Sequence, residues 1–163
     1  MHLNFRRYQS KKLSFESILS SFNPKINYIN ICESHYQFNK KLEVPGYQCY
    51  SRNRSDKSQG GIANCVLKTE AQDCLKVSEG KDSNEFLITR HSQFLTPINI
   101  INVYGEQENR TPANVISDHW NEVVDEIAKI EGKGEHFILI SDMNKHLPSL
   151  KENIVEKCLL EAR

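Results

Sequence analysis

The chain has 163 residues, which at the usual size of about 100–200 residues per domain leaves room for one core and not two. Hydrophobic residues make up 38% and charged residues 26%, the composition of a folding chain. Twenty-one basic residues balance twenty-one acidic ones, which argues against a strongly basic nucleic-acid binder. That balance hides a polarity, because residues 1–68 carry 11 Lys/Arg against 4 Asp/Glu, whereas residues 69–163 carry 10 against 17.

The longest apolar runs fall well short of the roughly 18 residues that cross a bilayer, so no membrane association is expected. Charges near the start are not followed by an apolar stretch, so the sequence does not open as a secretory signal does. An intracellular location is expected, nuclear if the chain acts on DNA. The five cysteines are odd in number and lack CxxC or Cys/His zinc spacing, so they are expected to be reduced thiols.

Residues 12–22 place Phe15, Ile18, Leu19 and Phe22 on one helical stripe, and Asn23-Pro24 ends the helix. Residues 26–32 are β-branched and short, a buried strand that delivers Glu33, Ser34 and His35 at its C-terminal end. Strands are predicted at 47–51 and 62–67, a hairpin with a basic tip, followed by strands at 85–89 and 97–103, with a polar turn over 78–84. Thr111-Pro112 reads as a helix start, hydroxyl cap then proline. The helix that follows is strongly amphipathic through Ile116, Trp120, Val123, Ile127 and Ile130. Residues 137–140 form a wholly apolar strand that ends at Ser141-Asp142-Met143-Asn144. One-faced helices interspersed with strands predict helices packed over sheet faces, an α/β or α+β class.

Polar residues gather where these strands end: Glu33 and His35, Tyr104, then Asp142 and Asn144. A rigid sheet fixes such positions while the loop keeps them exposed. Glu33 offers a hard carboxylate of the kind that Mg²⁺ takes together with waters and phosphate oxygens. Asp142 and Asn144, two residues apart, place a proton acceptor beside a neutral amide, and Tyr104 adds a hydroxyl donor. These groups match the needs of metal-assisted phosphodiester hydrolysis, although turn chemistry explains Asp-x-Asn equally well by spacing alone.

Taken in order, Asn4, ICESH around Glu33, SRNRSDKSQGGIA, INVYG and ISDMNKH resemble the motifs of the endonuclease/exonuclease/phosphatase superfamily. They are most similar to the apurinic-like endonuclease domain of non-LTR retrotransposons, and the match runs from about Leu3 to His146. The resemblance implies a four-layered α/β sandwich that nicks DNA with Mg²⁺ or Mn²⁺. By the same resemblance Glu33 and Asn4 match the metal-side residues, Tyr104 the tyrosine on the phosphate, Asp142 the aspartate that orients or deprotonates water, and Asn144 the asparagine beside it. His35 and His146 fall where similar sequences carry histidine and are assigned supporting roles. Candidate DNA phosphate contacts are Arg6, Arg52, Arg54 and Lys57, with Arg7, Lys11, Lys12, Lys40 and Lys41 behind them. No protein partner is predicted.

Two departures stand out. Ser141 replaces the glycine that usually precedes the aspartate, which a serine can do unless that backbone needs positive φ. The resemblance also implies a later Ser-Asp-His segment, so residues 1–148 are expected to be a partial, C-terminally truncated domain and 149–163 a divergent tail with one short helix. Ser117-Asp118-His119 spells the same three residues inside a helix and is read as a decoy. The alternatives to an endonuclease are a non-catalytic retroelement remnant and a phosphatase or phosphodiesterase of the same superfamily.

Overall fold

The computed structural model describes residues 1–36, 41–53, 60–81, 84–105 and 110–144. Within them the order is β1 (His2–Asn4), α1 (Tyr8–Ser21), β2 (Tyr28–Cys32), β3 (Tyr47–Arg52), β4 (Ile62–Leu67), a 3₁₀ turn (Lys68–Glu70), β5 (Cys74–Glu79), β6 (Phe86–His91), β7 (Ile98–Tyr104), α2 (Ala113–Glu131) and β8 (His136–Asp142). The strands form two mixed four-stranded sheets, ordered β1-β2-β4-β3 and β5-β6-β7-β8.

Alternation along each strand divides the apolar side chains among three cores. On the outer face of the first sheet, Ile29, Ile31 and Cys65 pack with Phe5, Phe15 and Leu19 around α1. Facing outward on the second sheet, Phe86, Ile88, Ile101 and Val103 meet Ile116, Trp120, Val123, Ile127 and Ile130 of α2. Between the sheets lie Cys32, Ile62, Leu87 and Tyr104. The layers therefore run helix, sheet, sheet, helix, the predicted four-layered sandwich. Burying each of these large side chains contributes about 1.5–3 kcal/mol, so the two helices are held mainly by the faces that they cover.

The layer between the sheets is also polar. Asn102 of β7 donates across the gap to the carbonyls of Ile31 at 3.3 Å and Ala63 at 3.1 Å. Asn64 of β4 donates to Thr89 Oγ1 at 3.1 Å and accepts from Asn30 at 3.0 Å. These fully buried amides fix how one sheet sits over the other, because a shift would strand polar groups without water.

Several elements differ from the sequence reading. The first helix starts at Tyr8, four residues early, because the buried Tyr8 ring packs edge-on against Phe5 and Phe15. Its buried residues are Tyr8, Phe15 and Leu19, whereas Ile18 and Phe22 are exposed. The second helix has Pro112 at its N-cap with no side-chain cap, so Thr111 lies outside it. Part of the predicted turn over 78–84 belongs to β5, an edge strand whose Leu75 and Val77 face solvent, which hid it from a search for buried apolar runs. Ser117-Asp118-His119 lies in α2, and His119 is fully buried with its ring edge-on to Trp120. No helix among the described residues is long and apolar enough to cross a membrane.

Candidate functional site

Four strands deliver the predicted residues to one rim. β1 and β2 are parallel, with Asn4 in register with Cys32, so Asn4 and Glu33 leave the first sheet side by side. β7 and β8 are likewise parallel, with Tyr104 in register with Asp142 on the second sheet. Their facing ends close the gap between the sheets. Tyr104 donates its phenolic hydrogen to Glu33 Oε1, and Asn4 Nδ2 donates to Asp142 Oδ2 at 2.7 Å. Two hydrogen bonds thus join the sheets at the site.

Asp142 is held from both sides, since its Oδ1 accepts the backbone N–H of Asn144 at 3.2 Å. Asn144 Nδ2 donates to the carbonyl of Gly105 at 2.7 Å, while the Gly105 N–H donates to the carbonyl of Asp142 at 2.8 Å. Gly105 is the positioning residue that the sequence reading passed over. A Cβ there would stand 3.0 Å from the Met143 carbonyl oxygen, so the INVYG ending carries a spatial requirement as well as a tyrosine. Ser141 lies within β8 and is not among the residues with positive φ, so the glycine-to-serine departure costs no backbone strain.

Strain gathers at this rim instead. Arg6 (φ 46°), Arg7 (φ 102°), Glu33 (φ 50°), His35 (φ 50°) and Asn144 (φ 50°) are the non-glycine residues of the described chain in the left-handed region. All five follow β1, β2 or β8. Each costs of order 1–3 kcal/mol and persists only where surrounding contacts hold it, and such clusters mark functional sites. Among those contacts, Arg7 N donates to Glu33 O at 3.2 Å, and His35 N to Gly60 O at 2.7 Å.

Burial, reinforced by the bond to Glu33, raises the Tyr104 pKa well above the phenol range, so Tyr104 remains a donor. His35 Nε2 stands 3.9 Å from Glu33 Oε2, and burial lowers its pKa against the opposing pull of that carboxylate. Arg6 is exposed beside the site, its N–H donating to Asn4 Oδ1 at 3.2 Å. Arg52 is half-buried at the end of β3, and its Nε donates to the Asn84 carbonyl at 2.9 Å. The candidates Arg54, Lys57 and His146 lie outside the described residues.

The donor set suits a hard cation. Glu33's carboxylate and Asn4's amide oxygen leave neighbouring strand ends, with Asp142 joined to Asn4. Among the described residues no cluster of three or more His, Cys, Asp or Glu could enclose an ion. The oxygens that could hold a cation here are those of Glu33 and Asn4, of the kind that Mg²⁺ takes together with water.

No protein-family model matches this sequence, and no curated protein is significantly similar to it. Solved structures are similar. The catalytic domain of Xenopus laevis APE2 superposes with a TM-score of 0.76 at 14% identity, over 98% of this chain and 66% of that one. The chain has the endonuclease/exonuclease/phosphatase fold. The 3'-5' exonuclease NExo of Neisseria meningitidis has that fold too, at a TM-score of 0.64 and 15% identity over 88% of this chain and 56% of its own. So has the endonuclease domain of TRAS1, a telomere-specific non-LTR retrotransposon, at 0.60 and 15% over 99% and 68%. This chain therefore spans between 56% and 68% of the length of these three examples of the endonuclease/exonuclease/phosphatase fold.

Proposed function

We propose that this chain is a divalent-cation-dependent DNA endonuclease domain of retrotransposon type, one that hydrolyses a phosphodiester bond in one strand of duplex DNA. The observation that carries the reading is the meeting of Glu33 and Tyr104, and of Asn4, Asp142 and Asn144, at one rim from two separate sheets. Glu33 and Asn4 would hold Mg²⁺ or Mn²⁺, which when bound supplies charge to offset that of the phosphate. Asp142, fixed by Asn4 and by the Asn144 N–H, orients an attacking water and accepts its proton as the water oxygen bonds to phosphorus, one P–O ester bond breaks, and the leaving sugar oxygen takes a proton from solvent. Tyr104 and the Asn144 amide turn from their present partners, Glu33 and Gly105, to donate to phosphate oxygens as charge builds on them. His35 lies beside the Glu33 carboxylate, 3.9 Å away, and is assigned a supporting role only.

Substrate class is the point at which fold alone decides nothing, since one fold serves many reactions. A solved structure of similar fold is that of the 3' phosphatase NExo bound to a product DNA hairpin. The test offers the chain, with Mg²⁺, supercoiled plasmid and a 3'-phosphorylated oligonucleotide side by side. Conversion of plasmid to the open-circular form is expected. Release of inorganic phosphate with the plasmid left intact would replace the endonuclease by a phosphatase.

A further inference from the structure

A groove of about 1010 Å³ runs along the side of the sandwich, where β3 is the free edge of one sheet and β5 that of the other. Among the described residues its walls carry Lys12, Lys41, Arg52, Lys68 and Lys76 against Glu43 and Glu79. Lys12 pairs with Glu16 at 3.8 Å and Lys76 with Glu79 at 3.1 Å, whereas Lys41 and Lys68 form no ion pair among the described residues. Both are exposed. The groove is therefore a cationic channel on a sheet edge.

Register shows which backbone groups face it. Leu67 N donates to Asn27 O on the β2 side, so alternate residues of β4 (Leu67, Cys65, Ala63) bond β2, and Val66, Asn64 and Ile62 bond β3. Their partners in β3 are Gln48, Tyr50 and Arg52. The N–H and C=O groups of Cys49 and Ser51 consequently point into the groove, with no backbone partner among the described residues.

Exposed edges are usually blunted by lysine, proline or a bulge. β5 follows that rule, with Lys76 beside a register shift between Lys76 and Ser78. β3 does not: from Tyr47 to Ser51 it has no charge and no proline, and it pairs with β4 in unbroken register over six residues. An edge left open among the described residues, inside a cationic channel, is a template for an added strand that carries negative charge.

We infer that this groove binds an extended acidic peptide segment, which adds as a strand to the free edge of β3 while its carboxylates meet Lys41 and Lys68. The outward Cys49 and Ser51 groups supply the main-chain bonds, and the lysines set the preference for acid. A nucleic-acid strand would use the same cations, and its phosphates could accept from the N–H groups, but they would leave the outward carbonyls without a donor. The inference does not rest on the proposed reaction, because Lys68, Cys49 and Ser51 lie outside the rim site and Lys41, also a candidate DNA phosphate contact, is here tested for peptide against nucleic acid.

The probe is a fluorescein-labelled peptide of alternating glutamate and valine, about nine residues long to span the edge. It is compared by fluorescence anisotropy with a lysine–valine peptide of equal length and with oligothymidylate. The acidic peptide is expected to bind, to slow hydrogen exchange at the Cys49 and Ser51 amides, and to lose about tenfold or more in affinity with Lys41→Glu/Lys68→Glu. Ser51→Pro removes one outward N–H and is tolerated on an edge strand; it too should weaken binding about tenfold. Should that variant fail to fold by circular dichroism, the exchange measurement on the unaltered chain still decides the matter. No binding of the acidic peptide, binding without protection at Cys49 and Ser51, or preference for oligothymidylate would each overturn the proposal.

Discussion

Tyr104, at the end of β7, gives its hydroxyl hydrogen to the carboxylate of Glu33, at the end of β2, and so joins the two sheets at the rim where the candidate site lies. Tyr104→Phe removes that hydrogen bond and the hydroxyl's interaction with the Asn144 side chain. A hydrogen bond to a charged, half-buried carboxylate contributes about 1.5–3 kcal/mol, so urea unfolding should show a loss of that order. If the hydroxyl also donates to phosphate in the reaction, nicking should fall by about two orders of magnitude in the same variant. A stability loss with unchanged nicking would make Tyr104 a purely structural clamp.

Asn4 and Asp142, 138 positions apart, form the second tie, at 2.7 Å. A double-mutant cycle of Asn4→Ala and Asp142→Ala should give a coupling of about 0.5–3 kcal/mol in unfolding free energy. Additive losses would mean that the two side chains do not act on each other in solution.

Asn102 is fully buried and reaches from the second sheet to two carbonyls of the first. Asn102→Ala removes both bonds and leaves space between the sheets, with an expected cost of about 1–3 kcal/mol, read as a lower thermal midpoint. Nicking should fall as well, because the site is built from ends that only this stacking aligns.

His91 is buried at the end of β6, with its Nε2 3.5 Å from Cys74 Sγ and its ring edge-on to Tyr28. Burial lowers its pKa below the ordinary value of about 6.5, so the unfolded chain binds the proton more readily than the folded one. Its contribution is therefore complete above that pH and is lost as the pH falls below it. Burial raises the pKa of both Cys74 and Tyr28, so neither neighbour ionises in this window. The thermal midpoint should drop between about pH 7.5 and 5, and His91→Gln, which takes no proton, should flatten part of that drop. An equally steep profile in the variant would place the sensitivity elsewhere, with His2 and His35 the other histidines whose pKa burial lowers.

Much of this molecule was legible in the sequence because its function-bearing loops follow its most apolar strands. β2, β7 and β8 announce themselves by β-branched runs, and the polar residues at their ends are conspicuous for that reason. β5 was not legible, since an edge strand with solvent-facing Leu75 and Val77 lacks the pattern of a buried one. β1 is three residues long and carries too few side chains to make a pattern. The left-handed backbone at Arg6, Arg7 and Glu33 has no signal in residue type, because tertiary contacts impose it; Asn144 and His35 are of types enriched in that region. Gly105 was visible as a letter, but its close approach to Met143 became apparent only in three dimensions.

The most direct test is a plasmid-nicking assay with Mg²⁺ on the unaltered chain beside Glu33→Gln and Asp142→Asn, all shown by circular dichroism to be folded. The account predicts open-circular plasmid from the unaltered chain and a loss of about a hundredfold or more in each variant, since one amide replaces a carboxylate on either sheet. Nicking by either variant at the rate of the unaltered chain would contradict it.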